Sequence, residues 1–370
     1  MVGERTVQGA PLTPGNQHVQ FCRGSGGVRI AWAIHGSGPP LLIVSCWLGH
    51  LQYDWQSPVW RHFLDELGAI ASVVRYDERG FGMSDWAVDD FSIDARLSDL
   101  EAVVAASGFE RFALLGMSGG APVALAYAAT HPERVSRIVL YGASSAYARR
   151  GGDPERDAEE AVYREMIRVG WAKQDPVFRN VFTRKFIPDA TEEQMRWFDD
   201  LQRMATSPET AVASRIQRSQ SDVTPLLDRV TAPTLVLQAT GDRVAGFSPG
   251  PDITARLPSA RLVPLDSANH ILLADEPAWP RFMDEVRAFL EPERSVGRSP
   301  DSGLGDLSER ELEVLHVAAR GRGNDDIAAE LGLSVRTVER HLSNVYLKLG
   351  LTGKAARTAA VAELIRRDLA

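Results

Sequence analysis

A short glycine-rich stretch, GMSGG at residues 116–120, places Ser118 between two pairs of small or flexible residues. The apolar run RFALLGM leads into this stretch, and a helical pattern, GGAPVALAYAATH, leads out of it. A sharp strand–turn–helix lets a serine side chain project as a nucleophile, and Gly116 and Gly120 provide the small residues that such a turn needs. An ordinary glycine-rich turn is the alternative, because a G-x-S-x-G pattern alone also arises by chance.

Two downstream residues have the types that would activate a serine. A serine hydroxyl needs a base that accepts its proton and an acid that orients the base. Asp242 follows the strand-like run PTLVLQ, and His270 follows the strand-like run ARLVPL. We therefore predict that Ser118, Asp242 and His270 form a catalytic set. As alternatives, Asp242 is a solvated turn residue and His270 an ordinary residue at the start of a helix.

An acyl-transfer site also needs backbone N–H groups that stabilise an oxyanion. Gly119, directly after the serine, is expected to provide one N–H group. Trp47, in the loop after the strand-like run LLIVSC, is expected to provide the second.

The elements around these residues predict how they are positioned. Short strand-like runs alternate with helical patterns of ten or more residues, which predicts an α/β fold with a mostly parallel sheet covered on both faces. From about residue 147 to 227 long helical stretches replace the strands, which predicts a helical cap over one end of the sheet. Aromatic and histidine side chains of the cap and nearby loops are expected to line an apolar ligand pocket, with cap-core packing as the alternative for each. These residues are His50, Trp86, Trp171 and Trp197.

Length and composition divide the chain of 370 residues into a large and a small domain. The predicted divisions are an irregular N-terminus (1–18), the α/β domain (19–290), a linker rich in Pro, Gly, Ser and charge (291–305) and an all-α domain (306–370). The sequence shows no signal peptide and no apolar run long enough to cross a bilayer, so we expect no membrane association. Two cysteines suit the reducing cytoplasm. Without zinc-ligand spacing among Cys and His, neither a metal nor another cofactor is expected.

Three helix starts are predicted in the C-terminal segment. Ser308 with Glu311 three residues later is typical of a capping box. Asn324 and Ser334 are predicted to cap the second and third helices, which the short sequence GLS separates.

The third of these helices is amphipathic. Its apolar residues fall on one face, at Val335, Val338, Leu342, Val345 and Leu349. A second face carries Arg336, Arg340, Asn344 and Lys348 at four-residue spacing, beside Thr337 and His341. Residues 331–370 contain seven basic and three acidic residues, although the whole chain has a net charge of −8. This pattern predicts a helix that lies in the major groove of DNA, with a solvated surface as the alternative.

Residues 19–290 resemble the α/β-hydrolase fold family. The stretch DERGFGMSD at residues 77–85 is similar to the D-x-R-G-x-G-x-S stretch of its capped members with a serine nucleophile, such as esterases, lactonases and carbon–carbon bond hydrolases. Serine at position 118 differs from the aspartate of haloalkane dehalogenases and epoxide hydrolases. Ser45 and Cys46 replace the His-Gly that is usual in the oxyanion loop.

Residues 304–368 are similar to the LuxR/NarL-type helix-turn-helix domain. The matching segments are LSERELEVL, NDDIAAEL and SVRTVERH, with Gly323 in place of a usual serine. The resemblance implies that Thr337, Val338, Arg340 and His341 lie near DNA. It also implies a homodimer on a double-stranded promoter or operator.

Three functions are compatible with this combination. The first, which we favour, is a cytoplasmic transcriptional regulator whose hydrolase domain senses a small ester- or lactone-type carbonyl ligand, with slow hydrolysis left open. The second is an active serine hydrolase, an esterase, lactonase or carbon–carbon hydrolase, with a regulatory DNA-binding tail. The third is a ligand-free dimerisation scaffold. The complete catalytic set argues against the third, and the complete helix-turn-helix argues against the second alone.

Overall fold

The computed structural model describes residues 17–146, 154–290, 307–320 and 322–348, together with Arg357, Ala360, Val361 and Leu364. The chain divides into one unit that ends at Leu290 and a second that begins at Glu291. Residues 1–16 of the predicted irregular N-terminus and the predicted linker at 291–305 lie outside the described residues, as do residues 147–153 of the predicted cap.

One sheet organises the larger unit. Its strands are β1 (His18–Arg23), β2 (Arg29–Gly36), β3 (Pro40–Val44), β4 (Ser72–Tyr76), β5 (Phe112–Met117), β6 (Val135–Tyr141), β7 (Thr234–Ala239) and β8 (Ala260–Leu265). They lie in the order β1-β2-β4-β3-β5-β6-β7-β8. The β1–β2 and β2–β4 pairs are antiparallel, and the pairs from β4–β3 to β7–β8 are parallel. The prediction of a mostly parallel sheet is confirmed.

Helices cover both faces of this sheet. They are α1 (Leu51–Asp54), α2 (Arg61–Gly68), α3 (Ile93–Ser107), α4 (Ala121–Thr130), α5 (Pro154–Gly170), α6 (Val177–Phe186), α7 (Glu192–Ala205), α8 (Pro208–Ser219), α9 (Pro249–Arg256) and α10 (Ala278–Leu290). Every residue of β5 and β7 is buried, as expected for parallel strands between two helical layers. Leu115 of β5 joins the apolar core on one face, and its neighbour Leu114 joins the core on the other.

Helices α5 to α8 form the cap, between β6 and β7. The buried Arg179 of α6 ties α5 to α7, because its guanidinium donates to the carbonyl oxygens of Trp171 (2.8 Å) and Asp199 (2.8 Å). A cation that satisfies the free carbonyl groups after a helix end stabilises that end. Phe182 and Phe198 are buried in the apolar core that the cap shares with the sheet, and Phe182 packs near Trp47 in the loop after β3.

The smaller unit contains three described helices, α11 (Glu309–Ala319), α12 (Asn324–Leu331) and α13 (Val335–Lys348). Its apolar core contains Val314, Ile327 and Leu342, one from each helix. A turn at Gly332, with a φ of +63°, separates α12 from α13. This arrangement is the predicted small helical domain.

The helix starts of the smaller unit follow two of the three predictions. Ser308 and Glu311 form the capping box of α11, and the Ser334 hydroxyl accepts the Thr337 N–H (3.2 Å) at the start of α13. The predicted cap at Asn324 is wrong by one residue. Gly323 is the N-cap of α12, because its N–H donates back to the Asp326 carboxylate (3.3 Å).

Candidate functional sites

Ser118 occupies the sharp turn between β5 and α4. Its φ is +46°, and it is the one non-glycine residue with positive φ in the described part of the chain. Such a conformation costs on the order of 1–3 kcal/mol and is maintained only where the surroundings enforce it. The turn aims the hydroxyl away from the strand, towards two cavities that Ser118 lines.

The flanking glycines are required by close packing. A Cβ atom at Gly116 would lie 2.9 Å from the Cβ of Ala124 in α4. A Cβ atom at Gly120 would lie 2.5 Å from the carbonyl oxygen of Val44 in β3. Glycine at both positions therefore lets α4 start directly against the sheet, which is what tightens the turn at Ser118.

His270 and Asp242 form a buried hydrogen-bonded pair. The Nδ1 atom of His270 lies 2.7 Å from Oδ2 of Asp242, and the other Asp242 oxygen accepts the N–H groups of Val244 (2.7 Å) and Ala245 (3.1 Å). Burial acts to raise the pKa of Asp242, but the charge and hydrogen bond of His270 and these N–H donors outweigh it and hold the pKa below its ordinary value. Asp242 is therefore ionised and able to orient His270.

The Nε2 atom of His270 is buried and has no hydrogen-bond partner among the described residues. His270 and Ser118 line the same small cavity. An unpaired imidazole nitrogen beside a serine is suited to accept a proton during a reaction. The backbone N–H of His270 donates to the carbonyl oxygen of Phe186 (2.7 Å), so the end of cap helix α6 holds the histidine loop.

Two residues that sequence reasoning missed shape the space around this pair. Gly142, directly after β6, has a φ of +57°, and a Cβ atom there would lie 2.9 Å from Cε1 of His270. Tyr141 donates its hydroxyl to the carbonyl oxygen of Asn269 (3.1 Å). The sequence signal for both was the Tyr-Gly pair at the end of a strand next to the nucleophile strand.

The backbone of Trp47 lies close to Gly119. A Cβ atom built on Gly119 would lie 3.8 Å from the Trp47 nitrogen. The Trp47 N–H donates to no group that the structure describes. The Trp47 indole reaches the cap, where its Nε1 donates to the Ser214 hydroxyl (3.2 Å) and its ring packs near Phe182 and Phe186.

A buried network of charged side chains holds the carbonyl oxygen of Gly119. This network was not predicted from the sequence. Arg96 donates to the Gly119 carbonyl oxygen (2.5 Å), and Arg218 donates to the same oxygen (3.3 Å). Both guanidinium groups also pair with the carboxylate of Glu78. Glu78 lies in the DERGFGMSD stretch, so this stretch supports the loop beside the nucleophile.

Two cavities of different size adjoin Ser118. The first, of about 20 Å³, is enclosed by apolar side chains that include Trp60, Phe198 and Ile271 together with His270. The second is an open cleft of about 830 Å³ that also includes Gly119 and Trp47 in its wall. The small cavity has room for about one water molecule, so a larger ligand would lie mainly in the cleft.

The four residues predicted to line the pocket lie elsewhere in the structure. Trp171 is buried in the cap core, Trp197 stacks on Tyr53, and Trp86 is 41% exposed. His50 caps helix α1, where its side chain accepts the N–H of Tyr53. None of the four lines either cavity beside Ser118. The side chains that do so, such as Trp60 and Phe186, are brought there by contacts distant in sequence.

Within the smaller unit, helix α13 presents a polar face. Arg336 and Asn344 are exposed, and Thr337 and His341 are partly exposed. The side chains of Arg340 and Lys348 lie outside the described part of the structure. Arg336 and Asn344 are eight residues apart, so they share one side of the helix.

Val338 does not belong to this face. It is completely buried in the core with Val314 and Leu342. The prediction that Val338 lies near DNA is therefore wrong, and the apolar pattern along α13 is the better guide to its position.

In the described residues, no helix is long and apolar enough to span a membrane. No group of three or more His, Cys, Asp or Glu side chains among them is arranged to hold a metal ion.

Known proteins resemble the larger unit. The profile of the alpha/beta hydrolase fold family matches residues 39–277. The AB hydrolase superfamily protein YisY of Bacillus subtilis is 26% identical over 239 residues, which are 64% of this chain and 86% of that protein. The crystal structure of a hydrolase from Pseudomonas aeruginosa PA01 superposes with a TM-score of 0.61 at 24% identity, over 74% of this chain and 98% of that one. The last comparison shows a shared fold.

Other known proteins resemble the smaller unit. The profile of the luxR family of bacterial regulatory proteins matches residues 306–361. A relative from Mycobacterium bovis, named as an HTH-type transcriptional regulator, is 40% identical over 84 residues, which are 23% of this chain. These residues are only 9% of that relative, so the likeness covers a small part of it.

Proposed function

Because the chain belongs to the alpha/beta hydrolase fold family and carries a C-terminal DNA-binding domain of the luxR family, we propose that it is a transcriptional regulator that senses a small carbonyl compound. The observation that carries this proposal is that one polypeptide contains both parts: the arrangement of Ser118, His270 and Asp242, and a DNA-binding helix. Esters and lactones are the ligand class that such an arrangement would recognise.

The site chemistry supports a ligand that contains an electrophilic carbonyl. Its carbon would approach the Ser118 hydroxyl, and its oxygen would accept the N–H groups of Trp47 and Gly119. His270 would accept the serine proton at Nε2, and the ionised Asp242 would stabilise the imidazolium that results. Attack forms the bond between Ser118 and the carbonyl carbon, and departure of the alcohol, reprotonated by His270, would leave an acyl-enzyme that water can release.

In the proposed regulator, the smaller unit would bind DNA. Arg336 and Asn344 on α13 would contact phosphates or base edges in the major groove. We further propose that the chain binds DNA as a homodimer on paired half-sites, as helix-turn-helix proteins commonly do. Because promoter binding requires access to the chromosome, we further propose that the protein acts in the cytoplasm.

A covalent occupant of Ser118 tests the regulator proposal without knowledge of the natural ligand. The full chain is labelled with an alkyl fluorophosphonate, which reacts with activated serines, and its affinity for its own upstream DNA is measured by mobility shift. A regulator should change its DNA affinity by at least about fivefold on labelling, which corresponds to a typical coupling between two sites. The Ser118→Ala chain, treated in the same way, should show no change. Equal DNA affinity of labelled and unlabelled chains, or no DNA binding at all, would contradict the proposal.

Serine hydrolysis with a DNA-binding tail is the second candidate. The hydrogen bond between His270 and Asp242 and the strained turn at Ser118 favour turnover. Hydrolysis of p-nitrophenyl acetate by the full chain is compared with that by Ser118→Ala. Equal rates would remove the enzymatic function and leave ligand sensing intact.

A further inference from the structure

The cleft beside Ser118 has an unusual balance of charge. Among the described residues, seven basic and three acidic side chains line its wall. A concave surface lined mainly by one sign of charge concentrates the electrostatic field and attracts ligands of the opposite sign. Basic side chains outnumber acidic ones in the cleft, although the chain as a whole has a net charge of −8.

Part of this positive charge is neutralised by partners within the protein. Lys185 pairs with Glu159 (3.0 Å), and Arg215 pairs with Glu160. Arg96 and Arg218, at the Gly119 end, pair with Glu78. These four cations therefore have structural roles.

Three further cations of the cleft form no ion pair with any residue that the structure describes: Arg164, Arg184 and Arg243. Arg164 donates only to the backbone carbonyl of Glu160 (3.3 Å), and Arg184 only to the side-chain oxygen of Asn180 (2.9 Å). Arg243 follows Asp242 directly and is exposed to the cleft. Uncharged acceptors leave the net charge of a guanidinium available to a ligand.

The two cavities determine where a ligand can extend. The apolar cavity of about 20 Å³ holds no more than a very small group, whereas the cleft has about 830 Å³. Any ligand whose carbonyl reaches Ser118 must therefore place most of its atoms in the cationic cleft.

From these observations we infer that the ligand is an anionic carbonyl compound, an ester or lactone that also carries a carboxylate. The carbonyl lies at Ser118, and the carboxylate lies in the cleft within the field of Arg164, Arg184 and Arg243. This inference rests on the proposed function and adds the charge class of the ligand to it.

Binding to the Ser118→Ala chain tests this inference separately from turnover. Calorimetry compares the monomethyl esters of dicarboxylic acids, from malonate to adipate, with the corresponding dimethyl esters, which lack the negative charge. At least one monoanionic ester should bind about tenfold more tightly than its neutral counterpart, and the preference should decrease as salt increases. If no monoanionic ester binds more tightly than its neutral counterpart, the inference is wrong.

Charge-removing variants locate the effect. Arg164→Gln, Arg184→Gln and Arg243→Gln should each lower the preference about two- to fivefold, as expected for partly exposed ion pairs. Arg256→Gln, which removes an exposed cation of α9 outside the cleft, is the control and should leave the preference unchanged. If the triple variant still prefers the monoanionic esters, the assignment of the three arginines is wrong. The assignment is also wrong if the triple variant without ligand loses DNA affinity, because the cleft would then be a nucleic-acid surface. Charge-selective binding without any effect on DNA affinity would preserve this inference and contradict the regulator proposal.

Discussion

The Nδ1 atom of His270 lies 2.7 Å from Oδ2 of Asp242, and both side chains are almost completely shielded from solvent. This hydrogen bond fixes the orientation of the ring and leaves the buried Nε2 atom without a hydrogen-bond partner among the described residues. His270 and Ser118 line the same cavity. We therefore expect the pair to determine whether Ser118 is activated, irrespective of the natural ligand.

Replacement of Asp242 tests this role. Asp242→Asn retains an oxygen for the N–H groups of Val244 and Ala245 but removes the charge that stabilises an imidazolium. The rate of fluorophosphonate labelling at Ser118 should fall on the order of a thousandfold, with little loss of folding stability. Asp228→Asn, at an exposed position, should label like the unaltered chain. Unchanged labelling of Asp242→Asn would contradict the predicted role.

Gly142 offers a test with a matched control. Gly142 and Gly108 both have positive φ, +57° and +71°, but only a Cβ atom at Gly142 would meet neighbouring atoms, those of His270 and Asp242. Gly142→Ala and Gly108→Ala should each lose about 1 kcal/mol of unfolding free energy from backbone strain. Only Gly142→Ala should also slow labelling of Ser118, by about tenfold or more, because the methyl group displaces His270. Equal labelling of the two variants would show that His270 moves without consequence.

Arg96 is predicted to be a positioning residue for the oxyanion site. Lysine in its place cannot pair with Glu78 and also reach the Gly119 carbonyl in the same geometry. Arg96→Lys should slow fluorophosphonate labelling about tenfold and lower the unfolding free energy by about 1–3 kcal/mol, as measured by chemical denaturation. Arg111→Lys, at an exposed position, should change neither quantity. A loss of stability without slower labelling would assign Arg96 a purely structural role.

The exposed face of α13 is tested through salt dependence. Arg336→Ala should weaken binding to all DNA sequences similarly and reduce the slope of log affinity against log salt by about one, as expected for loss of one phosphate contact. The mobility shift is measured over a salt series, with Arg310→Ala on α11 as the control. A slope that Arg336→Ala leaves unchanged would place this residue outside the DNA interface.

The pH dependence of stability should include a contribution from His35. Burial, together with the nearby Arg75, lowers the pKa of this histidine from 6.5 to about 4. The unfolded chain therefore takes up a proton at His35 before the folded chain does, and stability is lost as the pH falls from about 6.5 to 4. His35→Gln removes this contribution. As the pH falls over that interval, the unfolding free energy of His35→Gln should rise by roughly 3 kcal/mol relative to that of the unaltered chain. Denaturation at several pH values measures both free energies. A difference in unfolding free energy that stays constant with pH would contradict the lowered pKa of His35.

The sequence predicted those parts of the structure that depend on local pattern. The alternation of strands and helices, the sharp turn at Ser118 and the capping box at Ser308 all follow from residues that are close in the chain. The proximity of Asp242 and His270 was also predictable, because the carboxyl ends of neighbouring parallel strands meet at one edge of the sheet. Their chemical roles stay predictions.

Features that depend on distant contacts were missed. Arg96, in α3, and Arg218, in α8, meet at Gly119 only after the cap has folded over the sheet. The pocket assignment failed for the same reason: an aromatic residue in a cap helix faces either the core or the ligand space, and its type does not distinguish them. Val338 was misplaced because a match to a family segment does not specify which face of the helix a residue occupies.

The cap contacts both the Trp47 loop and the His270 loop, since Ser214 accepts the Trp47 indole N–H and Phe186 accepts the His270 backbone N–H. A chimera that exchanged residues 154–219 for the lid of a relative would thus remove supports of the proton acceptor along with the walls of the cleft. We therefore expect an exchange of the cap to change ligand selectivity and the reactivity of Ser118 together. Divergence towards new ligands would proceed more readily by point changes around the arginines of the cleft than by recombination of whole lids.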